Sequence, residues 1–170
     1  TRTISSAASD VYKRQKLDPE VLKEIMVYEA KEDYTNERYM ELVVNNYYTK
    51  HIIRLPVEQW PEPLNRSFKH INQDVYVTMQ GPSEFGIKGD ATLKYWDVKA
   101  DLHKITVPTL SIGATYDTMD PEQMKFISEE VQNGRFLLCP NGSHLSQFDD
   151  QKTYFQGLVQ FIKDVDAGAF

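Results

Sequence analysis

Two short apolar runs constrain this chain more than anything else in it. ITVPTLSIGA (residues 105–114) and RFLLC (135–139) have the length and composition of buried strands, and PEQMKFISEEV lies between them. Pro121 opens that middle segment, and Met124, Ile127 and Val131 recur at helical spacing. A second amphipathic stretch, QKTYFQGLVQFIKDV, follows, with Tyr154, Phe155, Leu158, Val159, Ile162 and Val165 as its expected core face. Strand, helix, strand, helix predicts a parallel βαβ arrangement, because parallel neighbours are joined only through a crossover. The fold class is therefore α/β. Sheets of this class have about five or six strands, so two strands alone are an incomplete sheet.

The first half reads differently. In LDPEVLKEIMVYEA, Asp18 is an N-cap, Pro19 suits the first helical position, and Glu20 suits the positive helix end. Val21, Leu22, Ile25 and Met26 fall on one face of that helix. A second helix from about Thr35 carries Tyr39, Met40, Val43, Val44, Tyr47 and Tyr48 as a wide apolar stripe. Pro56, Pro61 and Pro63 then forbid a continuous helix, and a third short helix runs from Pro63 to Ile71. Trp60 and Trp96 read as packing anchors on either side of this region. The expected organisation is a helical subdomain over 16–80 and the α/β part over 81–170. Residues 1–15 lack apolar periodicity, and SSAASDVYKRQ resembles translated adaptor or vector sequence. They are expected to be a leader that does not pack.

Composition narrows the function. Of the 170 residues, 41% are hydrophobic and 26% charged, as in a globular protein that dissolves in water. No stretch approaches the roughly 20 apolar residues of a membrane helix, so no membrane partner is expected. A net charge of -6, with no basic stripe, disfavours nucleic acid. Cys139 is the single cysteine, which excludes an internal disulfide and points to a cytoplasmic setting with a buried, inert thiol. His51, His70, His103 and His144 show no zinc spacing, and neither metal nor organic cofactor is indicated. No pattern encodes an oligomeric state.

In open parallel sheets, reactive groups collect on loops at the carboxyl ends of strands. GATYDTMDP presents Asp117 after the first strand, and PNGSH presents His144 after the second, 27 residues on. One helix plus one strand returns the chain to the same edge over such a distance. A carboxylate there can accept from the imidazole Nδ1–H, fix the tautomer and stabilise the imidazolium. Read singly, Asp117 is a turn or cap residue and His144 a surface turn histidine; the spacing favours the pair.

VPTLSIGATYDTMDP followed by PNGSHLSQFDD resembles the end of an α/β-hydrolase, whose triad runs Ser, Asp, His. VYVTMQGPSEF, YYTKHIIRLPVEQWPEP and WDVKADLHKITVPTL extend the resemblance to the proline iminopeptidase and amino-acid amidase group, which includes the tricorn-interacting aminopeptidases, over roughly residues 16–165. The resemblance implies a helical cap over 16–80 and the C-terminal portion of the hydrolase core over 81–170. It implies Asp117 as triad acid, His144 as triad base, and Glu84 of GPSEF as the carboxylate holding a substrate's α-ammonium. The implied partner is a small peptide or amide with a free amino end, often proline first. Read alone, Glu84 is a solvated loop carboxylate. Some relatives carry a second acid directly after the triad Asp; here Thr118 stands there, with Asp120 nearby.

The chain contains no Gly-x-Ser-x-Gly elbow and no His-Gly-Gly-type oxyanion loop. Ser111 lies inside the strand before Asp117, and Ser83 lacks the second glycine, Phe85 standing in its place. The expectation is a serine hydrolase fragment, inactive alone, whose serine was encoded upstream. The alternatives are an ester or epoxide hydrolase of the same fold and a non-catalytic binding module built on the ten tyrosines.

Overall fold

The structure, a computed structural model, describes residues 12–85, 87 and 89–169. It divides into two compact units: residues 12–50 with 55–96, and residues 51–54 with 97–169. The division thus falls at 96/97, not at the expected 80/81, and a four-residue piece of the first half belongs to the second unit. Trp96, at that division, is 52% exposed and does not pack as the expected anchor.

In the helical unit, α1 (Pro19–Ala30) begins as its sequence dictates: Asp18 accepts from the Glu20 N–H at 2.9 Å, and Pro19 takes the first turn. Asn36 caps α2 (Glu37–Val43) through the Arg38 N–H. The chain then widens into a π-helix over Val44–Ile52. Ile25, Tyr39, Leu42, Val43, Tyr47, Leu17 and Phe85 form the core, each fully buried side chain contributing about 1.5–3 kcal/mol. Of the expected stripes, Val21, Leu22 and Tyr48 pack partly buried against it, whereas Met26 is 53% exposed and Met40 is also exposed. Glu29 is buried instead, its carboxylate taken by Arg14 at 2.7 Å and by the Ser83 hydroxyl. A paired, hydrogen-bonded carboxylate tolerates a position that a lone one would not.

After the proline elbow, the Trp60 indole N–H donates to the Leu55 carbonyl. Next come α3 (Glu62–Lys69) and α4 (Gln73–Gln80), the latter capped by Asn72 through the Val75 N–H. Gly81 ends α4 at φ 94°, a conformation that other residues rarely adopt. Residues 1–11 of the expected leader lie outside the described residues. Residues 12–15 correct the expectation that the leader does not pack, since Lys13 is buried and both Lys13 and Arg14 form ion pairs.

In the second unit, β1 (Thr109–Ala114) and β2 (Gly134–Cys139) run parallel in the register Thr109↔Gly134 to Ala114↔Cys139, joined by α5 (Pro121–Glu130). Asp120 caps α5 through the Glu122 N–H. A short α6 (Ser146–Asp149) leads into α7 (Gln151–Asp166). The expected core face of α7 divides in two. Tyr154, Leu158 and Val165 are partly covered, while Phe155, Val159 and Ile162 stay 44–48% exposed. Two strands are too narrow to cover an apolar face that wide.

At the α5–β2 junction, a Cβ added to Gly134 would lie 1.9 Å from the Ser128 carbonyl oxygen. Backbone cannot yield there as a flexible side-chain tip does. Gly134→Ala is therefore expected to destabilise the chain by about 2–3 kcal/mol, read from denaturant unfolding. An unchanged midpoint would contradict this packing.

Candidate active site

Parallel pairing brings the loops after β1 and β2 to one end of the ladder. Beyond the last paired residues, Thr115 N–H donates to the Cys139 carbonyl and Tyr116 N–H to the Gly142 carbonyl. Asp117 and His144 follow directly. His144 Nδ1 lies 2.9 Å from Asp117 Oδ1. Nδ1 is thus the ring nitrogen that faces the carboxylate, and Nε2 lies on the other edge of the imidazole.

The acid is fixed more firmly than the base. Asp117 has a side chain only 10% exposed, and its Oδ1 also accepts from the Met119 N–H at 2.9 Å and the Thr118 hydroxyl at 3.3 Å. The His144 ring is 46% exposed, so it is held at the rim with one edge toward a buried carboxylate. Thr118 Oγ1 also lies 3.3 Å from His144 Nδ1. The residue replacing a second acid thus supports the first. Asp120, the acid near Thr118, caps α5 through the Glu122 N–H.

Glu84 belongs to the helical unit and sits in a polar cluster there. Its Oε2 accepts from the hydroxyls of Tyr48 at 3.3 Å and Tyr76 at 3.2 Å. Burial, and then the Glu84 charge, raises both phenols above their ordinary range, so they remain neutral donors. Lys13 Nζ donates to Glu84 Oε1 at 2.9 Å and to the Glu84 carbonyl at 3.0 Å. An ammonium group therefore already occupies the face of this carboxylate. Phe68 stacks on Tyr48 at 6.0 Å, and Trp60 lies 5.7 Å from Phe68. The sequence placed Tyr48 on an apolar stripe and gave Tyr76 no role; a lone tyrosine eight residues before Glu84 has no periodic signature.

Ser83 is fully buried, donates to Glu29 and accepts from the Phe85 N–H at 3.1 Å. It sits in a turn between α4 and Phe85, without the strand-to-helix elbow a nucleophile needs. Among the described residues, no group of three or more His, Cys, Asp or Glu side chains is placed to hold a metal, and no helix is long and apolar enough to cross a membrane.

No family model matches the chain. It is 56% identical over 156 residues to a protein named proline iminopeptidase from Elizabethkingia meningoseptica, covering 92% of this chain and 52% of that protein. A proline iminopeptidase from Saccharolobus solfataricus is 35% identical over 139 residues, covering 81% of this chain and 43% of that one. The chain is a relative of the proline iminopeptidases, in the α/β-hydrolase superfamily. It spans about half the length of these curated relatives. The fold agrees: the crystal structure of VinJ superposes with a TM-score of 0.81 at 26% identity, covering 92% of this chain and 52% of that one. A Mycobacterium smegmatis proline iminopeptidase gives the same score at 23% identity, with 98% and 56% covered.

Cys139 ends β2 just ahead of the His144 loop. Burial, aided by the Asp150 carboxylate, pushes its thiol up to about 11. A free, buried, protonated thiol is a poor nucleophile. In the native chain at pH 8, alkylation of Cys139 is expected to run at least about tenfold slower than in the denatured chain. Equal rates would place the thiol at the surface.

Proposed function

We propose that this chain supplies the acid, the base and the amine-binding cap of a serine hydrolase of proline iminopeptidase type. The observation that carries the reading is the 2.9 Å contact between His144 Nδ1 and Asp117 Oδ1 on neighbouring strand-end loops. In this reading a serine hydroxyl attacks the substrate carbonyl while His144 Nε2 takes its proton, and Asp117 stabilises the imidazolium. His144 then protonates the leaving amine, and later activates the water that releases the acyl group. The helical unit is the cap, and Glu84 with Tyr48 and Tyr76 receives the α-ammonium of the residue to be removed. A partly buried carboxylate with two phenol donors pairs with an ammonium more strongly than a surface ion pair does. The Lys13 ammonium stands in for that ligand, which supports the chemistry of the site.

The serine and the oxyanion donors lie outside this sequence in the same reading. Support comes from the missing Gly-x-Ser-x-Gly motif, the engaged hydroxyl of Ser83, and the half-length match to the relatives. The purified chain is therefore expected to hydrolyse proline p-nitroanilide no faster than buffer. Rapid turnover would show that the nucleophile is present after all.

The amine site has its own test, calorimetric binding of L-prolinamide. Glu84→Gln removes a charge-assisted hydrogen bond and is expected to weaken binding by about tenfold to a hundredfold. Lys13→Ala removes the competing ammonium and should tighten it. N-acetylation of the ligand should abolish the difference between the wild type and Glu84→Gln. Equal binding of both ligands to all variants would remove Glu84 from amine recognition and favour an esterase-like site.

A further inference from the structure

Residues 51–54, distant in sequence, touch both loops that carry Asp117 and His144. His51 is buried, and its Nδ1 donates to the Tyr116 carbonyl at 2.8 Å, one residue before Asp117. The carbonyls of His51 and Ile52 accept from the backbone N–H groups of His144 at 3.0 Å and Leu145 at 2.9 Å. The Ser143 hydroxyl donates to the Ile52 carbonyl at 2.9 Å. Arg54 then spans the two loops with one side chain. Its Nη1 donates to the Asn141 carbonyl at 2.7 Å, and its guanidinium carbon lies 3.6 Å from the centre of the Tyr116 ring. The Arg54 N–H donates to Asp149 Oδ2 at 2.9 Å, securing the segment to α6.

The acid–base contact needs such a tie. The β ladder ends at Ala114 and Cys139, and past it the only backbone bonds between the two loops that are described run from Thr115 and Tyr116. His144 lies on a turn with a half-exposed ring, so a small relative shift of the loops would break a 2.9 Å hydrogen bond. We propose that residues 51–54 are a positioning strap, in which His51 and Arg54 hold Tyr116 against the 141–145 loop and so keep Asp117 bonded to His144. The proposal rests on the acid–base reading of that pair. Both are positioning residues: His51 acts through the Tyr116 carbonyl, and Arg54 through the Tyr116 ring and the Asn141 carbonyl.

The test uses the full 170-residue chain labelled with ¹⁵N-histidine. NMR follows the His144 ring tautomer and the rate at which its Nδ1–H exchanges with water, and circular dichroism follows the melting midpoint. Arg54→Ala removes the guanidinium, and Tyr116→Leu removes the ring beneath it from the opposite loop. Each variant is expected to accelerate Nδ1–H exchange by about tenfold, the loss of one hydrogen bond of ordinary strength, with the melting midpoint little changed. Exchange within twofold of wild type, in whichever variant folds, overturns the strap. Asp117→Asn serves as the separate control. If it leaves the His144 ring signal unaltered, the acid–base reading fails, whatever the strap variants show.

Discussion

The parallel pairing of β1 with β2 is the constraint on which the site depends. Antiparallel pairing of the same two runs would send their following loops to opposite ends, and Asp117 could not meet His144. Parallel pairing requires a crossover, and α5 provides it with Pro121 at its first turn and Asp120 as its cap. Gly134 lets the chain turn off the end of α5 so closely that the Ser128 carbonyl occupies the place of a side chain. From there the register carries both loops to the same end, and the 2.9 Å contact follows from two loops leaving adjacent strands. The contact itself is simple: a buried, triply hydrogen-bonded carboxylate oxygen meets the Nδ1 edge of a half-exposed ring.

The helical unit solves a different problem, that of keeping carboxylates below the surface. Glu29 and Glu84 lie in the same unit, and each is neutralised locally, Glu29 by Arg14 and Ser83, Glu84 by Lys13 and two phenols. A buried carboxylate stripped of its cation is strongly destabilised. Glu84 takes its cation from Lys13, whose Nζ reaches both the carboxylate and the backbone carbonyl of the same residue. Glu29, by contrast, is locked to a serine in the GPSEF turn and serves the architecture of that turn.

Much of the fold was legible because it is written in local chemistry. The Asp18 cap, the helix opened by Pro121, the two strands, and the helix after the second strand are each specified by a few adjacent residues. The stripe assignments fared less well at Met26 and Met40, whose apolar character fitted the face while the packing took Glu29 instead. Periodicity cannot register a buried carboxylate whose partner, Ser83, lies 54 residues away. The helix over Gln73–Gln80 announces itself only through the Asn72 cap, since its composition is mixed. The Asp117–His144 contact was legible through motif and spacing. Thr118, Tyr48, Tyr76 and the 51–54 segment were not, because their roles are set by tertiary contact and their spacing carries no period. The apolar α7 face was read as core, but only a wider sheet than these two strands would bury it.

The most direct measurement is an experimental structure of the chain that resolves the side chains at the ends of β1 and β2. The expected result is His144 Nδ1 within about 2.6–3.2 Å of an Asp117 carboxylate oxygen, with Nε2 turned away from it. Side chains beyond hydrogen-bonding reach, or loops leaving opposite ends of the strand pair, would contradict the acid–base pair and the hydrolase chemistry built on it.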